Sequence, residues 1–124
     1  MQTIMDDYAG GISTGYVYNT AKLQVAKKRI GELLTISYQL NAQDLHQLML
    51  IYEVIDRLYV CQTLISHLET RQETRWPAFQ QNGDYSEKDD KNWKKIVNSR
   101  FAAGEVKIIL RDLVEKDDSY EHTD

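Results

Sequence analysis

The chain is poor in the residues that announce chemistry or unusual covalent structure: one cysteine, one proline, six glycines and two phenylalanines among 124 residues. A lone Cys61 excludes an intrachain disulfide and any multi-cysteine zinc or iron–sulfur cradle, and among apolar neighbours it reads as a small core residue. A Lys/Arg block of five or more is missing too. With 15 basic residues against 19 acidic ones and a formal net charge of -4, the chain lacks the electrostatic footprint of a nucleic-acid binder. No apolar run approaches the length of about eighteen residues that a membrane span requires, and the opening MQTIMDDYAG has neither the basic nor the apolar region of a signal peptide. The chain therefore reads as cytoplasmic. HExxH, GxSxG, GxxxxGK[ST] and GxGxxG are all absent, and no glycine falls in a phosphate-cradling loop.

What is present is helical patterning. The length fits one domain with a modest core. Residues 2–9 suit a short helix that Gly10 and Gly11 would end. After the loop ISTGYVYN, Asn19 is placed to cap a helix whose Leu23, Ala26, Ile30, Leu33, Leu34 and Ser37 recur at three- and four-residue steps on one face. Asn41 with Asp44 three residues on resembles a second start, and the pattern then runs to about Arg71 with two apolar stripes. Leu45, Leu48, Tyr52, Ile55 and Tyr59 form one; Ile51, Val54, Leu58, Cys61, Ile65 and Leu68 form the other. So wide a face calls for neighbours on at least two sides.

Beyond Arg71 the period stops. Pro77 disfavours helix at Trp76, Asn82–Gly83–Asp84 signals a turn, and Ser86 with Asp89 is positioned to cap a short helix through about Lys94. KIVNSRF and EVKIILRDLV around Ala102–Ala103–Gly104 suggest a hairpin, and the polar EKDDSYEHTD a flexible tail. The expected fold is mainly α: a three-helix-type bundle with two long antiparallel helices and a small C-terminal β-hairpin, residues 1–114 forming the domain and 115–124 the tail.

Tests for a catalytic constellation fail on geometry. His46 and His67 on one helix lie roughly 30 Å apart, and Cys61 and His67 about 9 Å apart along the axis on different faces. Asp89 and Asp90, adjacent in a helical turn, diverge by about 100° and suit a helix N-terminus better than a metal or acid/base dyad. Glu53 and Arg57 have the spacing of a helical ion pair.

The segment HLETRQETRWPAFQQNGDYSEKDDKNWKKIVNSR places two tryptophans and the sole proline in the least regular stretch of the chain. It resembles the C-terminal helical region of flavoprotein subunits in the succinate dehydrogenase, fumarate reductase and L-aspartate oxidase superfamily, which carry an Arg-x-Glu-Ser/Thr-Arg core followed by an aspartate-rich stretch ending in tryptophan. MQTIMDDYAGGISTGYVYN, AQDLHQLM, ETRWP and NWKKIVNSR bring it nearer to the adenylylsulfate reductase alpha (flavin) subunits, over about residues 1–114. Ala78, Phe79, Gln80 and Ser86 depart from that subfamily, which has a glycine and tyrosines after Trp-Pro and a proline after Asp-Tyr; Trp76 departs from the succinate dehydrogenase pattern, which has glycine there. The resemblance thus leaves the substrate open.

The resemblance implies an oxidoreductase parent that holds FAD in a large N-terminal domain and exchanges electrons with an iron–sulfur subunit. The flavin and capping domains would end before Met1, so no catalytic, cofactor-binding or metal-binding residue is carried over, and no cofactor is expected in this chain. Arg71, Arg75, Trp76, Asp89, Asp90 and Trp93 are the expected contacts to the flavin domain or a partner. The arginines would bond Asp84, Asp89 or Asp90, and the tryptophans would either pin the segment to its surroundings or complete this domain's own core. Two functions follow: a non-catalytic C-terminal domain that supports the flavin domain and docks an electron-transfer partner, or a free-standing helical interaction module derived from it.

Overall fold

Asn19 and Asp44 each turn a side-chain oxygen back onto the helix that follows. Asn19 Oδ1 accepts the Lys22 N–H at 2.8 Å and Asp44 Oδ1 the Gln47 N–H at 2.8 Å, satisfying donors that a helix start otherwise leaves unpaired. In the computed structural model, which describes residues 1–113, they open two long helices, α2 (Thr20–Ser37) and α3 (Leu45–Thr70). Asn41 lies in the connecting loop, so the start of α3 is Asp44 alone. Before these come α1 (Gln2–Tyr8), a 3₁₀ turn at Ile12–Thr14 and β1 (Val17–Tyr18); after them come β2 (Gln81–Asn82), α4 (Asp90–Trp93), β3 (Lys95–Ala102) and β4 (Glu105–Asp112). The boundary at 114 and the tail 115–124 lie outside the described residues.

Lys27 Nζ in the first half of α2 meets Glu69 Oε2 near the end of α3 at 2.8 Å, whereas Tyr38 just past α2 shares a 2.6 Å hydrogen bond with Tyr59 in the middle of α3. The two helices are therefore antiparallel. Leu23, Ala26, Ile30 and Leu34 of α2 pack with Leu58 and Ile65 of α3, and Ile4, Met5 and Tyr8 of α1 close the third side. This is the expected mainly α bundle.

Because Tyr38 just past α2 lies opposite Tyr59, the part of α3 ahead of Tyr59 overhangs its partner by about 20 Å. The overhang is its first half. Leu45 is 83% exposed, Met49 52% and Tyr52 60%, whereas Ile55, Leu58 and Ile65 are buried. Among the described residues, neighbours on two sides, as the double stripe requires, exist only for the second half, where α2 lies on one side and the hairpin approaches on another through an edge-to-face contact of Tyr59 with Phe101, centroids 5.3 Å apart.

The hairpin pairs β3 with β4 antiparallel from Lys95↔Asp112 to Ala102↔Glu105. Ala103 and Gly104 make its two-residue turn with φ of 54° and 82°, the doubly left-handed geometry whose twist suits flanking strands.

The ISTGYVYN loop holds more order than its composition suggests: β1 pairs in parallel with β2, Val17 opposite Gln81 and Tyr18 opposite Asn82. Gly83 donates its N–H to Tyr18 O at 2.7 Å, and a Cβ there would stand 3.2 Å from that same oxygen, so glycine permits the approach. Gly10, at φ 77°, ends α1 in the left-handed region as its pattern predicts.

If Leu23, Ile30 and Ile65 form the core, Ile30→Ala lowers unfolding free energy by about 3 kcal/mol, while Val60→Ala, at a position 66% exposed, changes it by less than about 0.5 kcal/mol. Urea denaturation midpoints compare the two; similar shifts would contradict the packing.

Candidate functional site

Arg71, the residue that ends α3, leaves the helix in an extended conformation, φ -80° and ψ 111°. In extended chain, residues two apart share a side, so Arg71, Glu73 and Arg75 converge. The Glu73 side chain has no exposed surface, while the Arg71 and Arg75 side chains keep 26% and 24% of theirs. Arg75 grips the carboxylate with two N–H groups, Nε to Oε1 at 2.8 Å and Nη2 to Oε2 at 2.9 Å. Arg71 Nη1 donates to Oε1, and the Asp89 N–H donates to Oε2 at 3.0 Å. These four donors occupy the lone pairs a carboxylate offers. Nothing remains for a substrate.

Both guanidinium groups reach onward to the chain ahead of the hairpin. Arg71 donates to Trp93 O at 3.1 Å and Lys95 O at 2.9 Å, with its guanidinium 5.9 Å from the Trp93 ring centroid. Arg75 donates to Asp90 Oδ1 at 2.7 Å. Of the aspartates expected to meet the arginines, only Asp90 accepts from one through its side chain. Asp84 instead takes the Thr20 N–H at 2.7 Å and so caps α2; Asp89 Oδ1 takes the Asn92 N–H at 3.1 Å and caps α4. Ser86 therefore does not start that helix. Asp89, its N–H held by Glu73, is the residue that does.

Thr74 and Asn82, both buried, organise the loop between them. Thr74 Oγ1 accepts the Asn82 N–H at 3.0 Å and donates to Tyr85 O at 2.8 Å; Asn82 donates through Nδ2 to Arg71 O at 3.2 Å and accepts the Asp84 N–H at 3.0 Å. Glu73, Thr74 and Asn82 are thus the polar core of a segment without a hydrogen-bond ladder; the sequence marks Asn82 only as part of a turn and Glu73 and Thr74 only as part of the Arg-x-Glu-Ser/Thr-Arg core, none of them as a site residue. The usable signal was the alternation Arg-x-Glu-x-Arg just past a helix end, which predicts one shared side.

The tryptophans divide. Trp76 is 68% exposed and its neighbour Phe79 76%, so Trp76 completes no core of this domain. Trp93 is half-buried beneath Arg71.

Burial pushes the Glu73 carboxyl up, but the bonds from Arg75, the Asp89 N–H and Arg71 outweigh it and hold the group below the usual carboxylate range. Glu73 in turn, then Asp90, pushes the Arg75 guanidinium up, so it stays charged. Burial raises the Cys61 thiol, which keeps it protonated and unreactive. Among the described residues no group of three or more His, Cys, Asp or Glu is arranged to hold a metal ion, and no helix is long and apolar enough to cross a membrane. The constellation fixes the path of the chain from α3 to the hairpin.

No family model matches the chain. It is 35% identical over 108 residues to the alpha subunit of adenylylsulfate reductase from Megalodesulfovibrio gigas, a match covering 86% of this chain but 16% of that subunit. Adenylylsulfate reductase from Archaeoglobus fulgidus superposes with a TM-score of 0.87 at 36% identity over 92% of this chain and 18% of that one. An adenosine-5-phosphosulfate reductase in complex with sulfite gives the same TM-score of 0.87. The FrdA chain of E. coli quinol fumarate reductase, at 19% identity and a TM-score of 0.77, shares the fold.

A folded-state pKa below the unfolded one means that the unfolded chain binds the extra proton as pH falls, so the Glu73 contribution is complete above about pH 4.3 and disappears as pH drops through the lowered value. Glu73→Gln should cost about 3 kcal/mol at pH 7, and its difference from the natural chain should shrink in acid. Denaturation midpoints at neutral and acid pH check this; a pH-independent difference would contradict the assigned charge.

The chain thus spans about a sixth of the length of the curated relative it matches; in sequence and fold it resembles the C-terminal helical domain of the adenylylsulfate reductase alpha subunits, and it shares that fold with the FrdA chain of fumarate reductase.

Proposed function

We propose that the chain is the non-catalytic C-terminal helical domain of a flavin-dependent oxidoreductase subunit, in which it supports the FAD-holding domain and docks an iron–sulfur electron-transfer partner. The observation that carries this reading is the mismatch between α2 and α3. A helix that buries Ile55, Leu58 and Ile65 at one end leaves Leu45, Met49 and Tyr52 bare at the other, an apolar face that a soluble domain covers when it is part of something larger. The adenylylsulfate reductase likeness supports it, since nearly the whole of this chain aligns to a small share of chains several times longer.

The site residues take distinct parts. Arg71 and Arg75 hold the segment's path through Glu73, and Asp89, Asp90 and Trp93 take its far end to the hairpin. Trp76, carried outward with Phe79, is the contact residue. Large rings on a braced loop bury much area at small entropic cost. No residue of the chain is assigned to FAD, and the redox chemistry belongs to the parent's flavin domain.

Leu45→Asp with Tyr52→Asp should abolish association of the full chain with a separately produced flavin domain of an adenylylsulfate reductase alpha subunit, while leaving the melting temperature within a few degrees of the natural chain. Trp76→Ala should weaken association and shift stability by less than about 0.5 kcal/mol. Gel filtration with flavin absorbance reports the complex. No association of the natural chain, or equal association of the double variant, would sink the proposal.

A further inference from the structure

Positive charge is concentrated in the hairpin stretch of this acidic chain, ahead of the acidic last eleven residues. Lys91, Lys94, Lys95, Arg100, Lys107 and Arg111 fall within residues 91–113, where only Glu105 and Asp112 oppose them, although the whole chain has a formal net charge of -4. The hairpin register sorts them by face. Phe101 meets Tyr59 of α3, so Val97, Phe101, Val106 and Ile108 belong to the face turned toward the helix. The opposite face carries Ile96 across from Arg111, Asn98 across from Ile109, and Arg100 across from Lys107.

Arg100 directly opposite Lys107 is a like-charge pair, which destabilises a sheet. Among the described residues neither of them, nor Arg111, forms an ion pair, and Glu105 on the same face at the turn bonds none of them. Ile96 and Ile109 stand beside these cations with 45% and 43% of their surface exposed. A repelling pair with no ion-pair partner among the described residues, flanked by bare isoleucines, is complementary to carboxylates alternating with apolar side chains.

We infer that the outer face of the β3–β4 hairpin docks an acidic, extended polypeptide segment, whose carboxylates bridge Arg100 and Lys107 and pair with Arg111 while its apolar residues cover Ile96 and Ile109. Guanidinium groups recognise carboxylates with two parallel N–H bonds, which adds direction to charge. The size of the acidic ligand is limited by the rest of the chain. An anionic bilayer or a nucleic-acid duplex would bring dense negative charge against an acidic body, whereas a short segment senses charge only within a Debye length of about 8 Å. This surface uses none of the bare residues of α3, and the inference stands whether or not the chain serves a flavin domain.

Fluorescence anisotropy of a labelled peptide of alternating Glu and Val, titrated with the full chain, tests it. Binding should weaken about tenfold or more in Arg100→Glu/Lys107→Glu and stay unchanged in Lys22→Glu/Lys28→Glu, which alters net charge equally but on α2. Equal weakening in both would reduce the effect to net charge and overturn the inference, as would no binding by the natural chain. Tighter binding to phosphatidylserine vesicles or a DNA duplex than to the peptide would overturn it too. Should charge reversal unfold the hairpin, R100Q/K107Q gives the same reading. That variant should also raise the melting temperature of the free chain, because the repulsion between the strands is gone.

Discussion

A carboxylate with no surface open to water, held between two guanidinium groups, fixes everything that follows α3. Alone, the Glu73 charge would be costly to bury; with Arg71, Arg75 and a backbone N–H on its oxygens it becomes a joint. The arginines pass the constraint forward to the carbonyls of Trp93 and Lys95, which is where the hairpin begins. The direction of β3 thus depends on a charge some twenty residues earlier in the chain. Because all acceptor sites of Glu73 are occupied by the protein, the same feature that makes the segment ordered makes it chemically silent.

The second constraint is length. Helix pairs stabilise each other only where they overlap, and α3 outruns α2. The unpaired half keeps its apolar stripe, as a helix face made for another surface does, and the fold it resembles occurs within much longer flavoprotein chains. Overhang and braced aromatic loop both leave large apolar side chains exposed at the surface of the domain.

Much of this was legible in the residues. The caps Asn19 and Asp44, the buried stripe of α2 and the hairpin with its Ala-Gly turn follow from local rules, because each depends on neighbours within a few positions. Periodicity also traced both stripes of α3, but it could not say which half is covered, since that depends on where α2 ends. The β1–β2 ladder was invisible for the opposite reason: Val17–Tyr18 and Gln81–Asn82 are two residues each, too short for any periodic signal, and meet across most of the chain. Glu73 was passed over in favour of the more conspicuous aspartates. Asp89 went to the helix start beside it, where a carboxylate satisfies a backbone donor at less entropic cost than a distant arginine demands, and Asp84 went to the start of α2, which the fold brings beside it from 64 residues away.

The short parallel ladder bears on the order of folding. Its strands flank both long helices in sequence, so it closes a circuit around the helical pair: Tyr18 O receives the Gly83 N–H, Gln80 Nε2 reaches Ala9 O at 2.6 Å, and Asp84 caps α2 from outside. Closing so long a circuit in an open coil is entropically expensive, but the antiparallel helices bring its ends together in advance. The clasp is then a late event, acquired after the rate-limiting step, and it functions as a latch on escape from the native state: it slows opening without hastening assembly.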